Sequence, residues 1–194
     1  MNHNLRLFVA IDLPDSARRY LTVVQRDLRA YNLKVRWVVP ENIHLTLLFL
    51  GDTREHLVGP IGMAMTSAVA ALAPFHLAVK GLGVFPSYKR PRVVWSGVGG
   101  AVSAAVAVKK AIECDLRQVD GLTYRPERRT FKPHLTLGRA KGPIAPSVLA
   151  EVGRLRDAAE PTVIAVDAVH LIQSRLTPQG AQYTKLRSVY LDQC

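Results

Sequence analysis

Cysteine is nearly absent: Cys114 and Cys194 are the only two in 194 residues. No disulfide framework can hold such a chain together, and a reducing, cytoplasmic compartment is expected. Acidic residues are also scarce, 15 Asp and Glu against 26 Lys and Arg, so the formal charge is +11. That excess suits polyanions such as nucleic acid. No Gly-x-x-x-x-Gly-Lys-Ser/Thr loop occurs, which leaves ATP-dependent ligation without support, and no His-Glu-x-x-His occurs. Long apolar runs are missing too. Leu7 to Ile11 is cut off by Asp12, too short for a signal-peptide core, and the charge-free stretch 57–79 is broken by Gly59-Pro60, Gly62, Pro74 and His76. It reads as a buried helix followed by a strand, and no membrane span is expected.

What remains is an alternation of short strands and helices. Arg6–Ile11 reads as a strand, and Pro14-Asp15 opens a helix with Ala17, Leu21, Val24, Leu28 and Tyr31 on one face. Two β-rich stretches, Val35–Val39 and Ile43–Leu50, flank the turn Pro40-Glu41-Asn42. A helix from about Arg54 to Leu72 carries Leu57, Ile61, Met65, Ala68 and Leu72 at helical spacing, and Pro74 ends it. Strands are expected at 75–79, 92–98, 133–139, 161–172 and 182–191, and helices at 101–118 and 146–158. Val119–Lys132, polar and basic, reads as a surface loop.

The chain also repeats itself. His44-Leu45-Thr46-Leu47 recurs 90 residues later as His134-Leu135-Thr136-Leu137. Pro74–Ser87 and Pro161–Ser174, both fourteen residues and both alternating, are offset by 87, and the strand openers Arg6 and Arg92 by 86. Similar offsets suggest a duplication in which each half is strand, helix, His-bearing strand, helix, strand. The expectation is one bilobal α+β domain over 1–194, its lobes related by a pseudo-twofold.

Side chains alternate along a strand, so His44 and Thr46 project together while Leu45 and Leu47 point the other way; the same holds for His134 and Thr136. A pseudo-twofold would bring two imidazoles and two hydroxyls into one small volume. An imidazole pair can hold one base and one acid near neutral pH. That suits phosphodiester displacement, with one ring taking a proton from the nucleophile, the other giving one to the leaving oxygen, and the hydroxyls bonding the non-bridging oxygens.

These motifs and their flanks resemble the 2H phosphoesterase superfamily, in particular its bacterial and archaeal RNA 2′,3′-cyclic phosphodiesterase branch, also called 2′-5′ RNA ligase. The resemblance includes Arg6-Leu7-Phe8-Val9-Ala10-Ile11-Asp12, Trp37-Val38, Pro40-Glu41-Asn42, Phe49-Leu50-Gly51, Gly81-Leu82-Gly83-Val84-Phe85-Pro86, Arg90-Pro91-Arg92-Val93-Val94-Trp95 and Pro133 to Leu137 with Arg139. It implies two antiparallel sheets flanking a central cleft with helices outside. It further implies metal-independent, cofactor-free opening of RNA 2′,3′-cyclic phosphate ends to 2′-phosphates, with His44 as proton donor and His134 as proton acceptor. The reverse chemistry would join RNA ends through a 2′-5′ link.

Arg139 lies five residues after His134 and Phe49 five after His44; both are candidate substrate-binding residues, Arg139 for phosphate or base and Phe49 for stacking or alternatively core packing. Gly138 threatens the alternation with a bulge, which leaves the direction of Arg139 open. Lys132, with Lys89, Arg90, Arg92, Arg125, Arg128, Arg129 and Lys141, is a candidate for a basic rim along an RNA backbone. A metal hydrolase is the first rival, but no carboxylate accompanies either motif His at ligand spacing, and Asp167 and His170, three apart in a strand, point to opposite faces. The other rival is an RNA-end-binding module without catalysis; Arg or Lys would serve such a module better than paired histidines. RNA or related nucleotides are the expected partners, and a monomer the expected state.

Overall fold

The computed structural model describes residues 3–126, 130–157, 162–178 and 180–192. Arg128 and Arg129 of the expected rim, Cys194, and the expected boundaries at Ala158 and Pro161 lie outside them. Among the described residues nine strands and four helices follow in the order β1 (Asn4–Ile11), α1 (Asp15–Arg29), β2 (Val35–Trp37), β3 (Leu45–Arg54), α2 (Val58–Val69), β4 (Phe75–Phe85), β5 (Val93–Gly100), α3 (Val102–Leu116), β6 (His134–Ala140), α4 (Pro146–Asp157), β7 (Val163–Val166), β8 (Ala168–Thr177) and β9 (Gly180–Tyr190). Short 3₁₀ turns, Pro40–Asn42 and Glu55–Leu57, precede β3 and α2. Among the described residues no helix is long and apolar enough to cross a membrane.

All strand pairs are antiparallel, and the order is β7-β4-β5-β6-β3-β1-β8-β9, with β2 added alongside β6. The two His-bearing strands, β3 and β6, meet through one residue pair, Leu45 with Leu135. The two antiparallel sheets are therefore one curled sheet, pinched at that pair into a His44 half and a His134 half.

Each helix has an apolar face of the kind its periodicity predicts. Ala17, Leu21, Val24 and Leu28 of α1 are buried, as are Ile61, Met65 and Val69 of α2 and Ala105, Val108, Ile112 and Leu116 of α3. Helices α2 and α3 pack together behind β3 and β9, and α4 packs on β4 and on α1, where Arg156 Nε donates to Asp27 at 2.6 Å. Tyr31 departs from expectation: α1 ends at Arg29, and Tyr31 lies beyond its apolar face, exposed.

The larger departure is in connectivity, since the halves of the chain do not each build their own half of the sheet. β4 leaves β1 and β3 to pair with β5, while β8 and β9 return to β1. The strand expected over 161–172 is two strands, broken at exposed Asp167, with β7 on β4 in the His134 half and β8 on β1 in the His44 half. Burial changes at the break: β7 alternates, whereas Ala168, Val169, Leu171 and Ile172 of β8 are all buried, with a register shift against β9 between Leu171 and Ile172 that lets Ile172 join Phe8 and Ala10 apart from the main core.

Gly138 holds β2 in place. A Cβ there would collide with Val35 Cγ1 and lie 3.1 Å from both the Arg36 carbonyl oxygen and Trp37 Cε3. Only hydrogen lets β2 lie against β6 so closely. Gly138→Ala is expected to cost about 1–3 kcal/mol by overpacking, read as a lower urea midpoint with an unchanged m-value; an unshifted midpoint would show that β2 is not held this tightly.

Candidate active site

The Leu45–Leu135 pair sets the two histidines side by side in sequence terms: each stands immediately before the leucine that makes the contact. Both rings are anchored in the same way. His44 Nδ1 donates to the Asn42 carbonyl and His134 Nδ1 to the Lys132 carbonyl, each at 2.8 Å and each two residues upstream. With its Nδ1–H committed to a carbonyl, a neutral imidazole keeps Nε2 as the free proton-transfer atom. The charge of His134 acts on His44 and opposes its protonation. The sequence repeat thus becomes two like-anchored imidazoles close enough to feel each other.

Alternation alone would turn Phe49 and Arg139 away from Thr46 and Thr136, three residues being an odd number. Two β-bulges correct this. On β3, Thr46 pairs with Ala10 and Leu48 with Val9, so Leu47 is the extra residue. On β6, Thr136 pairs with Trp95 and Gly138 with Val94, so Leu137, 90 residues later, is the extra residue. Each bulge restores the polar face. Phe49 pairs with Phe8, two residues from Ala10, and Arg139 with Val93, two residues from Trp95, which puts both on the face that carries the threonines. Phe49 is 58% exposed, so core packing is not its role. Arg139 is exposed, and its charge reaches the Tyr183 hydroxyl of the opposite half, lowering that hydroxyl's pKa against the dominant effect of burial, which raises it.

Gln25 secures the second bulge. It stands among Leu21, Val24 and Leu28 on the buried face of α1, 2% exposed, and its Nε2 donates to the carbonyls of Leu137 and Val38 at 2.8 Å each. The bulge carbonyl also accepts from Val38 N at 2.9 Å. A lone amide on an apolar helix face was the available sequence signal for this residue, since a buried polar group needs a partner.

The surroundings of the two histidines differ. His44 stacks on Phe8, centroids 4.8 Å apart and planes 29° apart, and Tyr183 meets it edge-on at 5.2 Å and 84°. Phe8 also touches the rings of Phe49 and Tyr183. Burial in this aromatic cage lowers the His44 pKa; the Asn42 carbonyl and the Asp12 carboxylate act against that, and His134 acts with it. Among the described residues His134 has one aromatic neighbour, Phe85, edge-on at 4.9 Å. A cavity of about 730 Å³ opens beside His44, lined also by Arg18, Arg19, Tyr183 and Lys185. Asp12 organises it, accepting from Arg18, Lys185 and the Leu13 amide (2.9 Å), and these partners hold its carboxyl below the usual carboxylate range even though burial pulls the other way.

Sequence reasoning missed Phe8, Tyr183, Phe85, Asn42 and Gln25. Lys132 is exposed, and its structural contribution is the main-chain carbonyl that anchors His134. Arg125, Lys89, Arg90, Arg92 and Lys141 are all exposed. Among the described residues no three His, Cys, Asp or Glu side chains come together as metal ligands would.

The family model described as LigT like Phosphoesterase matches residues 11–95 and 107–183. The chain is 34% identical over 183 residues to the RNA 2′,3′-cyclic phosphodiesterase of Methanothermobacter thermautotrophicus, covering 94% of this chain and 96% of that one. It is 36% identical over 157 residues to the protein of the same name from Aeropyrum pernix, covering 80% and 85%. Its fold is similar to the crystal structure of TT0787 of Thermus thermophilus, with a TM-score of 0.72, 29% identity, and 96% and 97% of the two chains covered.

The aromatic cage makes a prediction by itself. Removing the Tyr183 ring admits water to His44 and favours the imidazolium, so Tyr183→Ala should raise the His44 pKa toward 6.5, the value of a free side chain. NMR titration of the imidazole resonances reads this directly; a His44 pKa that stays put would show that the ring does not desolvate it.

Proposed function

The chain belongs to the LigT-like phosphoesterase family, and from that premise we propose that it opens RNA 2′,3′-cyclic phosphate ends to 2′-phosphomonoesters. The observation that carries this reading is the matched pair of carbonyl-anchored imidazoles at the Leu45–Leu135 crossing, each followed two residues on by a threonine of the same face. The names of the relatives from Methanothermobacter and Aeropyrum support the substrate. The chain is read as one bilobal unit over 1–194 with a pseudo-twofold, because the offsets of 86 to 90 residues relate β1 to β5, β3 to β6 and β4 to β8, and these strands stand in matching order on either side of the pinch. Its setting is taken to be cytoplasmic and its state monomeric.

In the reaction, water attacks phosphorus in line with the P–O3′ bond. His134 Nε2 takes a proton from the water as the P–O bond forms, and His44 Nε2–H gives one to O3′ as that bond breaks, leaving the phosphate on O2′. The donor role of His44 and the acceptor role of His134 rest on the family resemblance. Burial works against the imidazolium that a donor needs; the anionic phosphate bound beside it works in favour. Thr46 and Thr136 hydroxyls bond the non-bridging oxygens, where charge builds up. Arg139 pairs with phosphate, and Phe49 offers an exposed face to a base. With a ribose 5′-hydroxyl in place of water, the same step forms a 2′-5′ link: His134 takes the hydroxyl proton as the new P–O bond forms, and His44 protonates O3′ as it leaves.

A short RNA ending in a 2′,3′-cyclic phosphate should yield only a 2′-phosphate, in EDTA as in buffer. His44→Ala and His134→Ala should each lose at least about 10²–10⁴-fold in kcat while still binding the RNA. Turnover by either variant at the wild-type rate would overturn the mechanism. The pH profile of kcat/KM assigns the roles. Because Tyr183→Ala raises the His44 pKa, the limb that His44 controls moves to higher pH, and a donor controls the alkaline limb. Movement of the acid limb instead would make His44 the base.

A further inference from the structure

On the cleft face of the His134 half, beyond Thr136, the strand register lines up cations. Arg139 of β6 pairs with Arg36 of β2, and one step further Lys141 stands opposite Lys34, with the Lys141 amide donating to the Lys34 carbonyl at 2.7 Å. All four residues are exposed. Their common face follows from β2 itself. Val35 and Trp37 face α1 and the core, where Arg29 lies 5.6 Å over the Trp37 ring, so Lys34 and Arg36 face the other way. Among the described residues none of the four has an ion pair or a side-chain hydrogen bond. The strands that carry them come from segments with no acid at all: 28–40, 56–112 and 128–150 contain no Asp or Glu.

Like charges directly opposite on neighbouring strands destabilise a sheet. Two such pairs in succession, with no acid to relieve them, are a standing cost that a polyanion removes. Same-face residues repeat at about 6.8 Å along a strand, so the track runs outward from the Thr136 hydroxyl as a narrow ladder of positive charge. The matching ground in the His44 half is of another kind, with the rings of Phe8, Phe49 and Tyr183, the carboxylates of Asp12 and Asp52, and the cations Arg18 and Lys185 already paired with Asp12.

We propose that Lys34, Arg36, Arg139 and Lys141 form a backbone-binding track that seats the phosphodiesters of the RNA chain, so that the enzyme takes polynucleotide ends in preference to free nucleoside cyclic phosphates. This rests on the activity proposed above and extends it to residues, Lys34 and Arg36, that lie outside the histidine-bearing strands.

The test compares a ten-nucleotide RNA ending in a 2′,3′-cyclic phosphate with a mononucleoside 2′,3′-cyclic phosphate, for the wild type, Lys34→Gln/Arg36→Gln, and Lys110→Gln/Arg117→Gln. The last pair carries the same charge change on exposed residues of and after α3. Affinity for the RNA is measured against salt by fluorescence anisotropy, and KM for both substrates by product formation. The track variant should lose about 1.4 from the log–log salt slope of RNA binding, about 0.7 for each single-strand phosphate contact. It should also raise KM for the RNA several-fold with KM for the mononucleotide unchanged, and Lys34→Arg/Arg36→Lys should restore both. An unchanged slope, or an equal loss in the α3 pair, would overturn the track in favour of net charge alone. A wild type that binds RNA but turns over neither substrate would overturn the proposed activity instead, and the salt slope would still decide the track.

Discussion

Leu45 and Leu135 make the one paired contact between the two His-bearing strands, and both are buried almost completely, at 1% and 0% exposure. Had β3 and β6 paired along their length, the cleft face would be a flat ladder and the two histidines would sit in a surface row. Contact at a single pair lets the strands part on either side of it, which opens a groove and leaves each His at the crossing. The hydrophobic demand on two leucines therefore fixes the separation of two imidazoles. The rest of the sheet, with helices α2 and α3 behind one half and α1 and α4 behind the other, serves to hold that crossing rigid.

The second constraint is parity. A strand offers every other residue to a face, and the bulges at Leu47 and Leu137 break that rule at the same place in each half. Leu47 and Leu48, like Leu137 and Gly138, are consecutive buried residues, which no regular half-exposed strand would show. The extra residue lets leucines fill the core while Phe49 and Arg139 return to the polar side. Gln25 shows how such an irregularity is stabilised: the bulge carbonyl accepts from the Val38 main chain and, as a second donor, from a buried amide on α1 that ties the bulge to the helix.

Much of this was legible in the sequence because it depends on short-range pattern. The helix faces, the His-x-Thr alternation and the 90-residue repeat are all periodicities, and they placed His44, Thr46, His134 and Thr136 on a shared polar face. Gly138 signalled the bulge without fixing its residue, because the choice between Leu137 and Gly138 depends on the partner strand β5. What pattern did not carry was which strand pairs with which. Nothing in 75–85 says that β4 joins β5 across the pinch and not β1, so the exchange of strands between the halves, and with it the placing of Tyr183 over His44, came only from tertiary structure. Tyr183 and Phe8 are 175 residues apart, and their rings meet at 5.2 Å.

The structure is near-symmetric in backbone and asymmetric in side chains, and the asymmetry follows the chemistry proposed for it. A cyclic phosphate presents a ribose and base on one side of phosphorus and an incoming water on the other, so equivalent positions face unequal tasks. His44 lies in a cage of Phe8 and Tyr183, with Phe49 exposed beside it, while its counterpart His134 meets the ring of Phe85 and its counterpart strand carries Arg139 where β3 carries Phe49. The exposed ring of Phe49 thus stands where the other half carries the guanidinium of Arg139, and the cavity beside His44 adds Arg18, Arg19 and Lys185 to the rings of the cage. The cage has an electrostatic consequence as well: burial in it lowers the His44 pKa, although both rings share the same main-chain anchoring. A repeat supplies two copies of a group; the unequal side chains around them give the two copies different surroundings.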